Sequence, residues 1–187
     1  MSYNLQLKKH YYIITGGPGS GKSTLLNALA AKGFATVAEA GRQIIQDELA
    51  WGGNAIHTGD RLAFREKMMA QSITDYLQQP EGDKPVFFDR GIPDLIGYSY
   101  LIQQPISQDY WQTTKALRYN PTIFMAPPWA DIYEHDALRK QDFQEATDTY
   151  QAIKRGYLES EYRFTELPLA SIDERVAFIL HTIENDS

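Results

Sequence analysis

Tyr11-Tyr12-Ile13-Ile14-Thr15-Gly16-Gly17-Pro18-Gly19-Ser20-Gly21-Lys22-Ser23-Thr24 decides the fold. Strand-forming residues run into a glycine-rich turn, and the turn opens a helix carrying Leu25, Leu26 and Leu29. The turn reads G-x-x-x-x-G-K-[ST], in the strand-then-helix setting that gives the pattern meaning. Gly16, Gly19 and Gly21 let the backbone curl, so that successive N–H groups point inward around phosphate oxygens. Gly17, Pro18 and Ser20 belong to the same cradle, and the helix beginning near Lys22 adds the positive end of its dipole. Lys22 reaches the outer phosphates, the Ser23 hydroxyl takes a magnesium position, and Thr24 helps to hold an inner phosphate. A turn that merely caps a helix is the bland alternative, and the flanking strand and helix weigh against it. The stretch predicts a nucleoside-triphosphate site.

Working outward, 187 residues favour one domain, 1–187, with 43% hydrophobic and 22% charged residues as in an ordinary soluble globular protein. A net charge of −6 with no Lys/Arg stripe argues against non-specific binding of nucleic acid or a membrane surface. The absence of cysteine excludes thiol chemistry, disulfides and cysteine-ligated metals. His10, His57, His135 and His181 are scattered without ligand spacing. The polar residues 1–10 read as a short leader, and no run approaches a membrane span, so a cytoplasmic protein is expected.

Short apolar runs at 11–15, 34–37, 85–88, 122–125 and 164–167 read as strands. Helical patterns separate them, including one from Asp60 through Leu77, one from Gln108 to Arg118, and a long one from about Gln144 to Tyr162. Trp51 to Gly59 reads as a flexible loop, and Met68 and Met69 as core filler. Five such strands between helices imply an α/β fold: a parallel sheet covered on both faces, with ligands at the strand C-terminal ends.

Those ends carry the remaining candidates. Asp89 directly follows an apolar strand, where a carboxylate binds magnesium or accepts a proton from a substrate hydroxyl. Its alternative is a helix cap before Pro93. The next residue is Arg90, not the glutamate with which a dedicated ATPase motor polarises water, and an arginine there can fork onto a phosphate or a carboxylate. Glu39 and Arg42 would lie one turn apart on one helix face. Either they face the phosphate acceptor, or they are a helix-start glutamate and a surface arginine. Arg139 and Lys140 sit in a polar segment that reads either as a basic lid closing over the transferring phosphoryl group or as a solvated face. Trp51 and Trp129 could stack on a ring, though single aromatics are more often core. Asp94-Leu95-Ile96-Gly97 matches D-x-x-G, but it falls inside a helical pattern, and no N-K-x-D guanine-reading motif occurs.

Taken with Glu39-Ala40-Gly41-Arg42, Phe87-Phe88-Asp89-Arg90-Gly91-Ile92-Pro93-Asp94, Arg118-Tyr119-Asn120, Ala126-Pro127-Pro128-Trp129 and Arg139-Lys140-Gln141-Asp142-Phe143, the phosphate loop resembles a particular family. That family is the small AAA-domain ATPase/kinase-like P-loop group, related to the ribosylnicotinamide kinase domain. The resemblance implies a P-loop NTPase fold of the nucleotide-kinase type with strand order 2-3-1-4-5. It also implies ATP and Mg2+ as ligands, a lid at about 129–145 around Arg139, and adenine near Pro168 to Ile172. The expectation is an ATP-dependent phosphotransferase using Lys22, Asp89 and Arg139, with Ser23 and Asp89 on the metal. Glu39, Arg42 and Arg90 would face a small hydroxyl- or phosphate-bearing acceptor such as a nucleoside or nucleotide. The rivals are ATP hydrolysis without an acceptor and a nucleotide-dependent switch read by a partner protein.

Overall fold

The computed structural model describes residues 3–80, 82–129 and 140–185, the last stretch with side chains from 143. Its strands are β1 (Gln6–Leu7), β2 (Tyr11–Gly16), β3 (Ala35–Val37), β4 (Val86–Asp89), β5 (Leu117–Arg118), β6 (Thr122–Ala126) and β7 (Arg163–Glu166). Its helices are α1 (Lys22–Ala31), α2 (Ala40–Trp51), α3 (Arg61–Leu77), α4 (Asp94–Leu101), α5 (Gln108–Ala116), α6 (Lys140–Glu159) and α7 (Ile172–Asn185).

Every residue of β2 is buried, as a central strand of a parallel sheet requires. The sheet runs β3-β4-β2-β6-β7, all parallel. Counted along its five strands this is the expected order 2-3-1-4-5, with helices on both faces. The pleat sends alternate residues to opposite sides. Tyr12, Ile14, Phe87 and Phe124 pack with Leu25, Leu29, Val176 and Ile179 of α1 and α7. Tyr11, Ile13 and Phe88 pack instead under the larger layer contributed by α2, α3, α4, α5 and α6.

Register fixes the chemistry. Ile14 of β2 stands opposite Asp89 of β4, so the residues leaving both strands emerge side by side. The sheet thereby brings the phosphate loop and Asp89 to one edge.

Several boundaries differ from the sequence reading. The expected leader contains β1, which pairs in parallel with β5 through Gln6–Leu117 and Leu7–Arg118. For the same reason α5 stops at Ala116 rather than Arg118: Leu117 is fully buried, and the Arg118 guanidinium lies 3.9 Å over the Tyr162 ring. The long helix α6 begins at Lys140 and ends at Glu159, four residues earlier than expected at its start and three at its end. Trp51 is the last residue of α2, which ends at Gly52 in the left-handed region. Among the described residues no helix is long and apolar enough to cross a membrane.

Helices α4 and α6 cross backbone to backbone. A Cβ on Gly97 would stand 2.5 Å from Ile153 Cα, and one on Gly156 would stand 2.5 Å from Gly97 N. Gly97 is therefore a packing residue, which accounts for its place in the D-x-x-G match without guanine. Alanine favours helix over glycine by about 1 kcal/mol, but here it must push backbone aside. Gly97→Ala is expected to destabilise the protein by about 1–3 kcal/mol, read as a lowered urea midpoint. A raised midpoint would contradict the packing.

Candidate active site

The phosphate loop is shaped by what lies behind it. Gly16 has φ of +139°, and a Cβ there would lie 2.2 Å from the Ala126 carbonyl oxygen. Gly21 caps α1 with φ of +78° and no side-chain hydrogen bond to the helix start. The first N–H groups of α1 are thus not engaged by a capping side chain. Arg175 of α7, buried, donates through Nη1 to the Ser20 carbonyl at 3.1 Å and braces the loop from the far side. Ser20 in turn donates from its hydroxyl to the Gly17 carbonyl at 2.9 Å.

Lys22 folds along this loop, donating to the Gly17 carbonyl at 2.8 Å and to the Gly16 carbonyl and Ser20 Oγ, each at 3.3 Å. Burial, then the neighbouring Arg90 charge, lower its pKa to about 8, against the pull of Asp89, Glu39 and Asp94. A lysine in this condition gains from any further negative charge brought beside it. Ser23 and Thr24 are exposed in the first turn of α1, on the solvent side of the loop.

Asp89 is buried at the end of β4, and its Oδ1 has no hydrogen-bond partner. Burial raises its pKa to about 6, with Lys22 opposing and Glu39 reinforcing the rise. An orphaned, buried carboxylate oxygen is costly unless something comes to it. Oxygen donors on Asp89 and Ser23 are the kind that a hard divalent cation such as magnesium takes.

Arg90 holds φ of +70°, a conformation that costs a side-chain-bearing residue about 1–3 kcal/mol. The turn aims its guanidinium between two acids: Nε donates to Glu39 Oε1 at 3.0 Å and Nη1 to Asp94 Oδ1 at 3.2 Å. Burial works against its charge, and Glu39 and Asp94 more than restore it. Glu39 precedes α2 without capping it by a side-chain hydrogen bond. Although burial pushes its pKa up, Arg90 and Lys22 hold it below the usual range.

Asp94 is the residue that sequence reasoning missed. At the first position of α4 and 3% exposed, it accepts from the Thr15 hydroxyl, the Arg90 guanidinium, the Gly91 N–H and the Tyr157 hydroxyl. The available signal was the i,i+4 spacing from Arg90 to Asp94, which suits an ion pair where a helix begins.

Glu39, Arg90 and Asp94 open onto a cleft of about 830 Å³. Pro18 and Gly19 form its phosphate-loop end, and Glu39, Arg42, Arg90 and Asp94 line it together. One face each of α3, α4 and α6 completes the wall, through Phe64 and Met68, Leu95 and Tyr98, and Thr149 and Ile153. Met68, expected only as core filler, thus also faces the cleft. Trp51 is 88% exposed. Arg139 and residues 130–139 lie outside the described residues, and the structure describes no side chain for Lys140.

A family described as an AAA domain matches residues 11–175. The chain belongs to that AAA-domain family. No curated protein matches it by sequence. Among solved structures it is similar to thymidylate kinase from Ehrlichia chaffeensis, at 16% identity and a TM-score of 0.62, covering 92% of this chain and 98% of that one. It is also similar to shikimate kinase from Acinetobacter baumannii in complex with shikimate, at 14% identity and a TM-score of 0.60, covering 95% of this chain and 94% of that one. A third is the YorR protein of Bacillus subtilis in complex with phosphorylated GDP, at 13% identity and a TM-score of 0.61, covering 94% and 96%. At these identities the likeness shows the fold, a P-loop NTPase fold of the nucleotide-kinase type.

The Asp89 carboxyl gives a pH prediction. Its pKa is about 6 when folded and 3.8 in the reference chain, so between these values the folded protein holds a proton that the unfolded chain has lost. Raising pH through that window therefore removes stability. Asp89→Asn lacks this loss. In chelator and without nucleotide, its stability advantage over wild type is expected to grow from pH 4 to pH 7.5 by up to about 3 kcal/mol, measured by urea unfolding at both pH values. A gap that is constant or shrinks would refute the buried, unpaired carboxylate.

Proposed function

We propose that the protein is an ATP-dependent phosphotransferase acting on a small hydroxyl- or phosphate-bearing metabolite. The observation carrying this reading is the shared cleft. Its one end is the phosphate loop, its flank is the Glu39–Arg90–Asp94 network, and Asp89 stands beside Lys22. A hydrolase needs room for water at the loop, whereas this cleft offers room for a whole second substrate, within the roughly 300–1,000 Å³ typical of small-molecule sites.

In this reading the backbone N–H groups of residues 16–21 and the start of α1 hold the β- and γ-phosphates. Lys22 exchanges its loop carbonyls for phosphate oxygens, which suits an amine that burial has left short of negative charge. Ser23 and Asp89 would hold magnesium, which would supply neutralisation of the phosphate charge. Asp89 Oδ1 thereby gains the partner it lacks. Arg90 is fixed by its two acids and orients Glu39 toward the acceptor end of the cleft. Arg42 meets the acceptor itself. Arg139, in the lid segment, closes over the transferring group. The protein's contribution is positioning and charge stabilisation, with no covalent intermediate on the chain.

The test is ADP formation from ATP across a panel of small metabolites, with Lys22→Ala and Asp89→Ala as controls. At least one compound should raise turnover well above the acceptor-free rate. Each variant should lower that turnover about 10²–10³-fold while keeping the wild-type circular dichroism spectrum. Phosphate release that no metabolite alters would favour hydrolysis instead.

A further inference from the structure

Behind the phosphate loop, away from the cleft, lies a buried cation that does little for its own helix. Arg175 of α7 is 2% exposed, and its Nε has no hydrogen-bond partner. Among the described residues no carboxylate lies within ion-pair distance of it. Burial draws its pKa below that of a free guanidinium. Its neighbours Asp173 and Glu174 stand in the first turn of α7, the end of a helix that favours anions over cations. A buried charge without a counter-charge is costly. The bond it does make runs to the loop: Nη1 donates to the Ser20 carbonyl at 3.1 Å.

The loop carbonyls divide between two cations. Those of Gly16 and Gly17 accept from Lys22, and that of Ser20 accepts from Arg175. A peptide unit is planar and trans, so its C=O and N–H point in opposite directions. With the Ser20 carbonyl turned to Arg175, the Gly21 N–H is turned away from α7. Gly21 itself does not fix that choice. Its φ of +78° lies in the left-handed region, and glycine populates both signs of φ about as readily. The residue that lets the loop curl thus leaves the preceding peptide free to turn over, and a bond from outside the loop must hold it. The fit is close on that side, since a Cβ on Gly21 would stand 3.0 Å from Arg175 Nη1.

We infer that Arg175 is a positioning residue for the triphosphate, pinning the Ser20 carbonyl behind the loop so that the Gly21 N–H faces the phosphates. The inference rests on the triphosphate site of the phosphotransferase reading. A peptide turned over at this point presents the Ser20 carbonyl oxygen to phosphate oxygens, putting an acceptor where a donor is needed. The two cations then have different tasks. Lys22 exchanges its carbonyls for phosphate oxygens when the triphosphate arrives, whereas Arg175 keeps its carbonyl throughout. A guanidinium suits the fixed task, because it stays charged when buried and its planar fork is pre-organised. The anchor is itself held in place. Val176 and Ile179, which follow it on α7, pack with Leu25 and Leu29 of the helix that the loop opens.

The experiment is calorimetric titration of the full chain with magnesium and a non-hydrolysable ATP analogue, joined to amide spectra of protein carrying isotope-labelled glycine. In the wild type the Gly21 amide proton should move downfield as the analogue binds, the mark of a new hydrogen bond to phosphate. Arg175→Met keeps the length of the side chain without its donors or charge. It should weaken the analogue about tenfold or more and lose the Gly21 shift. Arg175→Lys, which restores a charged donor, should recover most of that loss. A brace that is only structural predicts something else: Arg175→Met would lower the urea midpoint yet bind the analogue as the wild type does, and that result overturns the inference. So does weakened binding in Arg175→Met with the Gly21 shift intact. A wild-type Gly21 amide that stays put when the analogue binds overturns it as well, with no variant needing to fold. Each of these outcomes leaves the triphosphate site standing. Failure of the analogue to bind the wild type at all overturns both readings together.

Discussion

One carboxylate holds the working parts of this molecule in relation to one another. Asp94 collects the Thr15 hydroxyl from the strand that feeds the phosphate loop, the Arg90 guanidinium, the Gly91 N–H and the Tyr157 hydroxyl of α6. Burying a carboxylate is costly unless its lone pairs are filled, and at Asp94 four donors fill them. The geometry that results is not local. It ties the C-terminal end of β2, the turn after β4 and the last turn of α6 to a single point, and the backbone crossing at Gly97 and Gly156 lets α6 come close enough to take part. The same helix touches the loop directly: a Cβ on Gly17 would stand 2.6 Å from the Ala146 carbonyl oxygen.

Around that point the charges do not balance. Lys22 and Arg90 face Asp89, Glu39 and Asp94, two cations against three acids. Arg90 is occupied by Glu39 and Asp94, while Asp89 keeps a buried, unbonded Oδ1 and has its pKa pushed up to about 6, chiefly by burial. Lys22 donates to backbone carbonyls, and burial, then the Arg90 charge, pulls its pKa down to about 8. Each of these two groups carries the cost of burial with less than a full complement of partners. A triphosphate and a divalent cation are the pair of ligands that would relieve both, and the fixed network behind them means that little else need reorganise.

Much of this was written plainly in the chain, and the part that was not has a physical reason. The phosphate loop is legible because its requirement is local: backbone shape, a helix start and one lysine within a run of nine residues. The central strands are legible because a strand buried on both faces shows as an unbroken apolar run, and Tyr11–Ile14 and Val86–Phe88 are such runs. Leu117–Arg118 was not, because two residues carry no period and only the distant Gln6–Leu7 makes them a strand. Asp94 was hidden for a similar reason. Its donors come from positions 15, 90, 91 and 157, and no window of sequence contains that meeting. Glu39, Arg42 and Arg90 could be proposed one at a time from strand ends, but that all three share one cleft with Pro18 and Gly19 is a property of the sheet order.

The residue after Asp89 carries the argument between transfer and hydrolysis. A hydrolase polarises its attacking water with a base that is free to take a proton. Here that position is Arg90, strained into the left-handed region and locked between two acids. Those acids are themselves committed: Glu39 is drawn down by Arg90 and Lys22, and Asp94 has four donors. Among the described residues, the one buried carboxylate oxygen without a partner is Asp89 Oδ1, on the residue proposed to hold the metal. The position after Asp89 thus offers an attacking water no base. An acceptor already bearing a phosphate asks for none, since its nucleophilic oxygen is ionised near neutral pH. Arg90 standing where a glutamate would serve a motor is what favours the proposed transfer over hydrolysis.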